Sequence, residues 1–149
     1  MTLRVPKATT EGCVFDRCDF VGAQLNGSVH RESAFLNCQF RGANLFAAEF
    51  HACKLTGSDF AEANLDAFRI VGGDWSYTRL RFQKLAKRDL RHVRFAEADL
   101  YECDLTRADL RGANLDGVDW QALTLRDTRL DLAQAIAFAR SHGARIDFD

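Results

Sequence analysis

Every fifth residue from Phe15 onward is large and apolar, with one exception. The column runs Phe15, Phe20, Leu25, His30, Phe35, Phe40, Leu45, Phe50, Leu55, Phe60, Leu65, Ile70, Trp75, Leu80, Leu85, Leu90, Phe95, Leu100, Leu105, Leu110, Leu115, Trp120, Leu125 and Leu130. Only His30 is polar. Hydrophobic residues make up 47% of the chain, so a random comb would leave about half of these positions polar. A period of five matches neither the 3.6 of a helix nor the 2 of a flat strand. It marks a repeat, in which each unit buries its apolar face only by stacking on copies of itself.

The residues around each centre define the unit. Two places before it the side chain is small, as at Cys13, Cys18, Ala23, Ser28, Ser33, Cys38, Ala43 and Ala48, and the residue between is polar, as at Asp19, Asn44, Asp59, Asn64, Asp99, Asp104 and Asp109. Small, polar, large reads as in, out, in, a three-residue strand. The other two residues must turn the chain. Of the ten glycines, seven (Gly22, Gly27, Gly42, Gly57, Gly72, Gly112 and Gly117) fall two places after a centre, where a type II turn needs positive φ. The single proline, Pro6, lies outside the repeats, as a structure needing nearly every backbone N–H for a ladder requires.

The runs Ala43-Asn44-Leu45, Ala63-Asn64-Leu65, Ala98-Asp99-Leu100, Ala108-Asp109-Leu110 and Ala113-Asn114-Leu115 resemble the A-(D/N)-L-x-x motif of pentapeptide repeat proteins. The resemblance covers about four-fifths of the chain and implies an all-β fold, a right-handed quadrilateral β-helix with four repeats per turn. Twenty-four centres then make about six coils. At roughly 4.8 Å per coil the rod is about 29 Å long. Residues twenty apart should stack, as in Phe20, Phe40 and Phe60 or Leu25, Leu45, Leu65, Leu85, Leu105 and Leu125. Burial of each large side chain is worth on the order of 1.5–3 kcal/mol before chain entropy is subtracted. The chain divides into an N-terminal cap segment (1–12), the β-helix (13–130) and a C-terminal segment (131–149) of helix and short strand.

Within this frame the reactive side chains are structural. Cys13, Cys18, Cys38, Cys53 and Cys103 all occupy the small inward slot, where a thiol behaves as a small apolar group. His30, His51, His92 and His142 share no ligand spacing and face no evident nucleophile. The reading contains no catalytic residue, no metal site and no cofactor, so the chain is expected not to be an enzyme. There is no membrane-spanning apolar run and no secretory leader at the N-terminus, so cytoplasm with reduced thiols is the expectation.

The repeat is weakest from Asp66 to Arg88, where Phe68, Gln83 and Arg88 fill slots that should be small. Arg88 cannot enter a dry core without a large penalty, so a bulge or swollen coil is expected there. Charge is also uneven. Arg79, Arg81, Lys84, Lys87, Arg88, Arg91 and Arg94 form a basic band relieved by Asp89. The side with centres 20, 40, 60, 80, 100 and 120 carries Asp19, Asp59, Glu62, Asp99, Glu102 and Asp119, with Asp16, Glu97 and Asp116 at its neighbouring edge. An acidic stripe of this kind suits a basic, DNA-binding partner. Aspartate before the centre also serves backbone hydrogen bonding in this repeat, so both readings stand.

After Leu130 the period changes. Asp131 and Gln134 have capping-box spacing, Leu132, Ala135, Ile136 and Ala139 share a helical face, and Gly143 is a stop. Ile146 and Phe148 alternate like a short strand. The helix should cover the open end of the last coil, with Ile136, Phe138, Ala139, Ile146 and Phe148 as the homodimer interface. Residues 131–143, together with Ser28 to Phe35, resemble the MfpA- and Qnr-type fluoroquinolone-resistance subgroup of the pentapeptide repeat family. That resemblance implies two rods joined at their C-termini, a DNA mimic that occupies the DNA-binding saddle of DNA gyrase, a type II topoisomerase, and protects it from poisons. Two such rods span about 58 Å, or roughly 17 base-pair steps. No direct nucleic-acid binding and no membrane partner are expected. The alternative is a pentapeptide repeat scaffold for an unidentified protein partner, through the basic band, with no gyrase activity.

Overall fold

The computed structural model describes residues 7–149; residues 1–6 of the expected cap segment lie outside the described residues. An offset of twenty residues organises the rest. Strand β1 (Thr9–Glu11) pairs in parallel with β3 (Val29–Arg31), β3 with β5 (Glu49–His51), and β5 with β6 (Arg69–Val71). On the next side β2 (Val14–Asp16) pairs with β4 (Ala34–Leu36). Elsewhere single residues carry the same offset, as in Asp19–Gln39–Asp59–Arg79–Asp99 and Ala34–Lys54–Asp74–Arg94–Asn114. Four five-residue units therefore close each coil, and the chain is a right-handed, four-sided parallel β-helix followed by helix α1 (Leu132–Ser141).

Strand pairing links about three turns, fewer than the six coils counted from the repeat, because the corners come in two kinds. At a closed corner the N–H of the small residue bonds back to the centre carbonyl, as Ala23 to Phe20 and Ala43 to Phe40 (both 3.0 Å), and only the residue before the centre pairs with its neighbour. After β1 to β6 that turn bond is missing and all three residues of the side pair. Four of the five cysteines follow such open corners. Their thiols donate to the carbonyl of the corner's first residue: Cys13 to Glu11, Cys18 to Asp16, Cys38 to Leu36 and Cys53 to His51. Ser33 does the same to Arg31. The small slot is thus more selective than size alone implies.

All corners share one strain. The second corner residue is left-handed at each unit from Gly12 to Asp127 except Ala122, which lies in a 3-10 turn (Trp120–Ala122). Arg17, Ala47, Tyr77, Phe82, Lys87 and Glu102 are among the non-glycine residues held there, a conformation that costs roughly 1–2 kcal/mol for a residue with a Cβ. They stay because the corner N–H is a rung of the ladder, as in Ala47 to the Asp66 carbonyl (2.9 Å).

Inside, the centres stack as ladders. Phe15 lies flat on Phe35 (4.8 Å between centroids), Phe20 on Phe40 (5.0 Å) and Phe40 on Phe60 (4.8 Å). Leu45, Leu65 and Leu105 are fully enclosed. His30 continues a ladder by stacking on Phe50 at 4.9 Å. Its ring nitrogens meet hydroxyls, Nδ1 with Thr10 at 2.7 Å and Nε2 with Ser28 at 2.9 Å. Burial pushes this imidazole down from 6.5 to about 4, so it is a neutral core residue.

Of the two forms expected at 66–88, the structure has the swollen coil: the register is kept, with Asp59–Arg79 and Asp74–Arg94 both at twenty residues, so no bulge is inserted and the coils part, as described below. Two sequence expectations need correction. The short strand at Ile146 and Phe148 does not form, because no neighbouring strand offers it a ladder; residues 144–149 have no regular structure. Helix α1 begins with the expected Asp131–Gln134 capping box, but the face it turns to the rod holds Gln134, Ala137 and Phe138, and Leu132 is left 77% exposed. Gln134 Nε2 donates to the Leu110 and Ala113 carbonyls, and this polar tie orients the helix more strongly than its apolar stripe.

Candidate binding surfaces

The acidic side is a straight outward column, Asp19, Gln39, Asp59, Arg79 and Asp99, continued in sequence by Asp119. Each aspartate has a backbone duty. Asp19, Asp59, Asp99 and Asp119 accept from the N–H two residues ahead, at Val21, Ala61, Tyr101 and Gln121. One carboxylate oxygen in each therefore pins a corner and leaves the other for a second partner.

Arginines interleave with these acids. Arg79 lies 4.0 Å from Asp59, Arg41 3.8 Å from Glu62, and Arg81 Nε donates to Asp99. That hydrogen bond, with the charge of Asp99 behind it, raises the Arg81 guanidinium further above its ordinary value. Asp59, Asp99 and these three arginines line one shallow depression of about 360 Å³. The stripe is accordingly a mixed-charge surface, acidic at its two ends and paired in the middle.

Beside it lies an exposed aromatic cluster. Phe82 is 61% exposed, Tyr77 is 62% exposed, and Phe82 meets Tyr101 edge-on at 5.6 Å. The Arg81 guanidinium lies 5.0 Å from the centroid of the Tyr101 ring. Exposed aromatics with an arginine are the side chains that anchor protein interfaces. The signal was present in the sequence, since the second corner position holds Tyr77 and Phe82 where the other units hold glycine, alanine or a polar or charged residue.

The basic band resolves into a cleft. The ladder between the coil at 62–72 and the coil at 81–91 is open on two adjacent sides. At most other units the centre and corner amides donate to the next coil, as Leu45 to Asn64, Ala52 to Val71, Leu85 to Asp104 and Lys87 to Thr106, with Glu62 and Leu100 as isolated exceptions. Among the described residues the amides of Leu65, Ala67, Ile70 and Gly72 have no such backbone acceptor, and those of Lys84 and Asp89 do not reach back. The cause is the oversized slot residues. Phe68 is buried beside Trp75, and the Arg88 guanidinium lies 5.7 Å from its ring centroid. Gln83 Nε2 donates to the Phe60 and Ala63 carbonyls and Arg88 to that of Leu65. Gln83 thus caps this coil as Gln134 caps the last one. The cleft is about 630 Å³ and is lined by 68–72 and 87–92.

Of the residues expected at a dimer interface, Phe138 packs edge-on against Trp120 (6.2 Å) and so helps close the rod's own end. Ile136, Ala139 and Ile146 are half-buried and Phe148 is exposed. A second depression, about 680 Å³, runs between α1 and the last coil from Ala113 to Ser141.

Residues 43–120 match the family model of the pentapeptide repeat region. No curated protein matches the chain in sequence. A trypsin-treated form of QnrB1, a plasmid-mediated fluoroquinolone resistance protein, is similar in structure over 95% of this chain and 98% of its own, with 19% identity and a TM-score of 0.58. A second trypsin-treated form gives 96%, 94%, 19% and 0.52. HetL, a pentapeptide repeat protein involved in heterocyst differentiation regulation in the cyanobacterium Nostoc, matches over 78% of this chain and 61% of its own at 22% identity, with a TM-score of 0.48.

Proposed function

The chain belongs to the pentapeptide repeat family, and from that premise we propose that it is a binding protein, a DNA mimic that engages DNA gyrase and modulates or protects against gyrase poisons such as fluoroquinolones. The carrying observation is the straight outward column with Asp19, Asp59 and Asp99 at a constant register, flanked by Arg81, Phe82 and Tyr101 as anchors. Carboxylates held at fixed intervals along a narrow rod are a shape and charge that a basic nucleic-acid saddle can accept. The rod's similarity in fold to QnrB1 over nearly its whole length supports the same reading. Subgroup membership, the homodimer through Ile136, Ala139, Ile146 and Phe148, and a cytoplasmic location belong to this proposal. Among the described residues no helix is long and apolar enough to cross a membrane.

The mechanism asks nothing of reactive chemistry. Cys38, Cys53 and Cys103 are enclosed, and burial pushes the Cys103 thiol up to about 12. Function resides in surface complementarity.

The interleaved arginines favour a second reading, a scaffold for a partner of mixed charge with no action on gyrase. A supercoiling and quinolone-induced cleavage assay with purified gyrase separates the two. The first reading predicts a dose-dependent change in supercoiling or cleavage, reduced at least tenfold in potency by Asp99→Lys with Asp119→Lys. No effect of the wild-type rod on either reaction leaves only the scaffold.

A further inference from the structure

The open cleft is not needed for a rod that binds through its acidic side. The cleft lies on the sides with centres 65 and 70, whereas the acidic column lies on the side with centres 60 and 80. In a four-sided coil the side centred on Ile70 and Leu90 is opposite the side centred on Phe60 and Leu80.

We propose that this cleft binds an oligophosphate group. Two of the lining residues on the lower lip, Ile70 and Gly72, carry backbone amides whose counterparts reach the next coil and which here lack a backbone acceptor. Successive N–H groups lining a concavity are an anion site in their own right. Arg88 reaches down from the upper coil, and its buried Nε has no partner. A buried guanidinium N–H left unpaired is costly, and a movement of the side chain toward the cleft would bring it to a phosphate oxygen.

The lining charge agrees. Arg69, Lys87, Arg88 and Arg91 stand against one acid, Asp89. Asp89 is bound to Arg91 at 2.9 Å, and that hydrogen bond lowers its carboxyl below the usual range. Arg69 leans toward Glu49 at 3.3 Å. Lys87 has no ion-pair partner among the described residues and stands at the mouth. Phe68, Ile70, Val71 and Leu90 supply an apolar wall. The volume, about 630 Å³, lies within the range of small-ligand sites. A chain of phosphates, free or carried by a nucleotide, matches a concavity with clustered donors. A nucleic-acid duplex would need a longer row of cations along the rod than the coils on either side provide.

The test is a titration of the full chain with pyrophosphate and, separately, with ATP, both free of divalent metal, followed by backbone amide NMR and calorimetry. The expected result is saturable shifts at Ile70 and Gly72 and at the Arg88 Nε–H. Lys87→Ala, an exposed change that leaves the core untouched, should weaken binding about tenfold, and Arg88→Ala should weaken it further. Arg41→Ala on the opposite side should have no effect. Tighter binding of ATP than of pyrophosphate assigns the carrier as a nucleotide; equal binding assigns free polyphosphate. Absence of saturable shifts at these two amides, or undiminished affinity in Lys87→Ala, overturns the site.

Discussion

Lowering the pH from 6.5 to 4 should destabilise this protein through one residue. His30 is 3% exposed and its imidazole titrates near 4, down from 6.5, because burial disfavours the charged ring. The unfolded chain accepts a proton there below 6.5 and the native chain does not until about 4, so the unfolded state gains stability throughout that window. At about 1.4 kcal/mol per unit, the shift amounts to about 3 kcal/mol at the lower limit. For a domain of this size that is roughly 6–12 °C in melting temperature. The carboxylates act elsewhere. Asp104, Asp109 and Asp131 are held below 3.8 by hydrogen bonds, first from the Thr106 side chain, the Arg111 side chain and the Gln134 amide respectively. Their stabilisation is complete above 3.8 and is lost only as pH falls through their lowered values. Urea denaturation at half-unit steps, for wild type and His30→Phe, isolates the effect. The variant leaves the Ser28 hydroxyl unpaired, at about 1–3 kcal/mol, so slopes and not absolute values are compared. A wild-type slope that survives in His30→Phe, or no slope at all, refutes the buried neutral imidazole.

Three further outcomes follow from the same packing. Gly73→Ala places a Cβ 2.4 Å from the Cys53 carbonyl oxygen at φ +91, and should cost on the order of 4 kcal/mol or prevent folding, read by chemical denaturation. With a thiol reagent under native conditions, Cys13 and Cys18 should react while Cys38, Cys53 and Cys103 resist; mass spectrometry showing five equal rates would contradict the slot assignment. In hydrogen exchange, the amides of Leu65, Ala67 and Gly72 should exchange about a hundredfold faster or more than Leu45, Ala47 and Ala52. Gln83→Ala combined with Arg88→Ala should restore that protection, and unchanged exchange in the double variant would show that the oversized side chains are not what holds the coils apart.

The five-residue column made the architecture legible because burial acts on every coil in the same way. Phe40 over Phe60 and the enclosure of Leu45, Leu65 and Leu105 need only the period. The intruding Phe68, Gln83 and Arg88 marked the irregular coil, but not its form. A bulge and a splay answer the same excess volume, and the choice depends on whether the ladder can open without losing register. Here Gln83 and Arg88 can cap the carbonyls they expose, which favours the splay. The helix was placed by its caps, Asp131 and Gln134, yet its buried face was misread because Gln134 looked like a surface residue until two carbonyls at the rod's end claimed it. The acidic stripe was read from one column at a time, whereas Arg41 and Arg81 reach it from corners, and spacing along the chain does not show how far a corner side chain extends.

The break in the ladder also decides which side of the rod is stiff. Through the coils where Leu65 to Gly72 lose their rungs, the other two sides stay joined, by Lys54–Asp74–Arg94–Asn114 and by Asp59–Arg79–Asp99. Trp75 bonds upward to Arg94 and Leu80 to Asp99 at 2.7 and 2.9 Å. In a solenoid each coil is held only by its neighbours, so any bending at this level opens or closes the cleft and uses the continuous sides as the hinge. The acidic column with Phe82 and Tyr101 sits on that hinge side, where bending changes the spacing between coils least. A ligand that bridges the lips of the cleft would therefore straighten or curve the rod without touching a residue of the acidic surface. If the acidic side binds the proposed partner, occupancy of the cleft would then change that fit by altering the curvature of the surface.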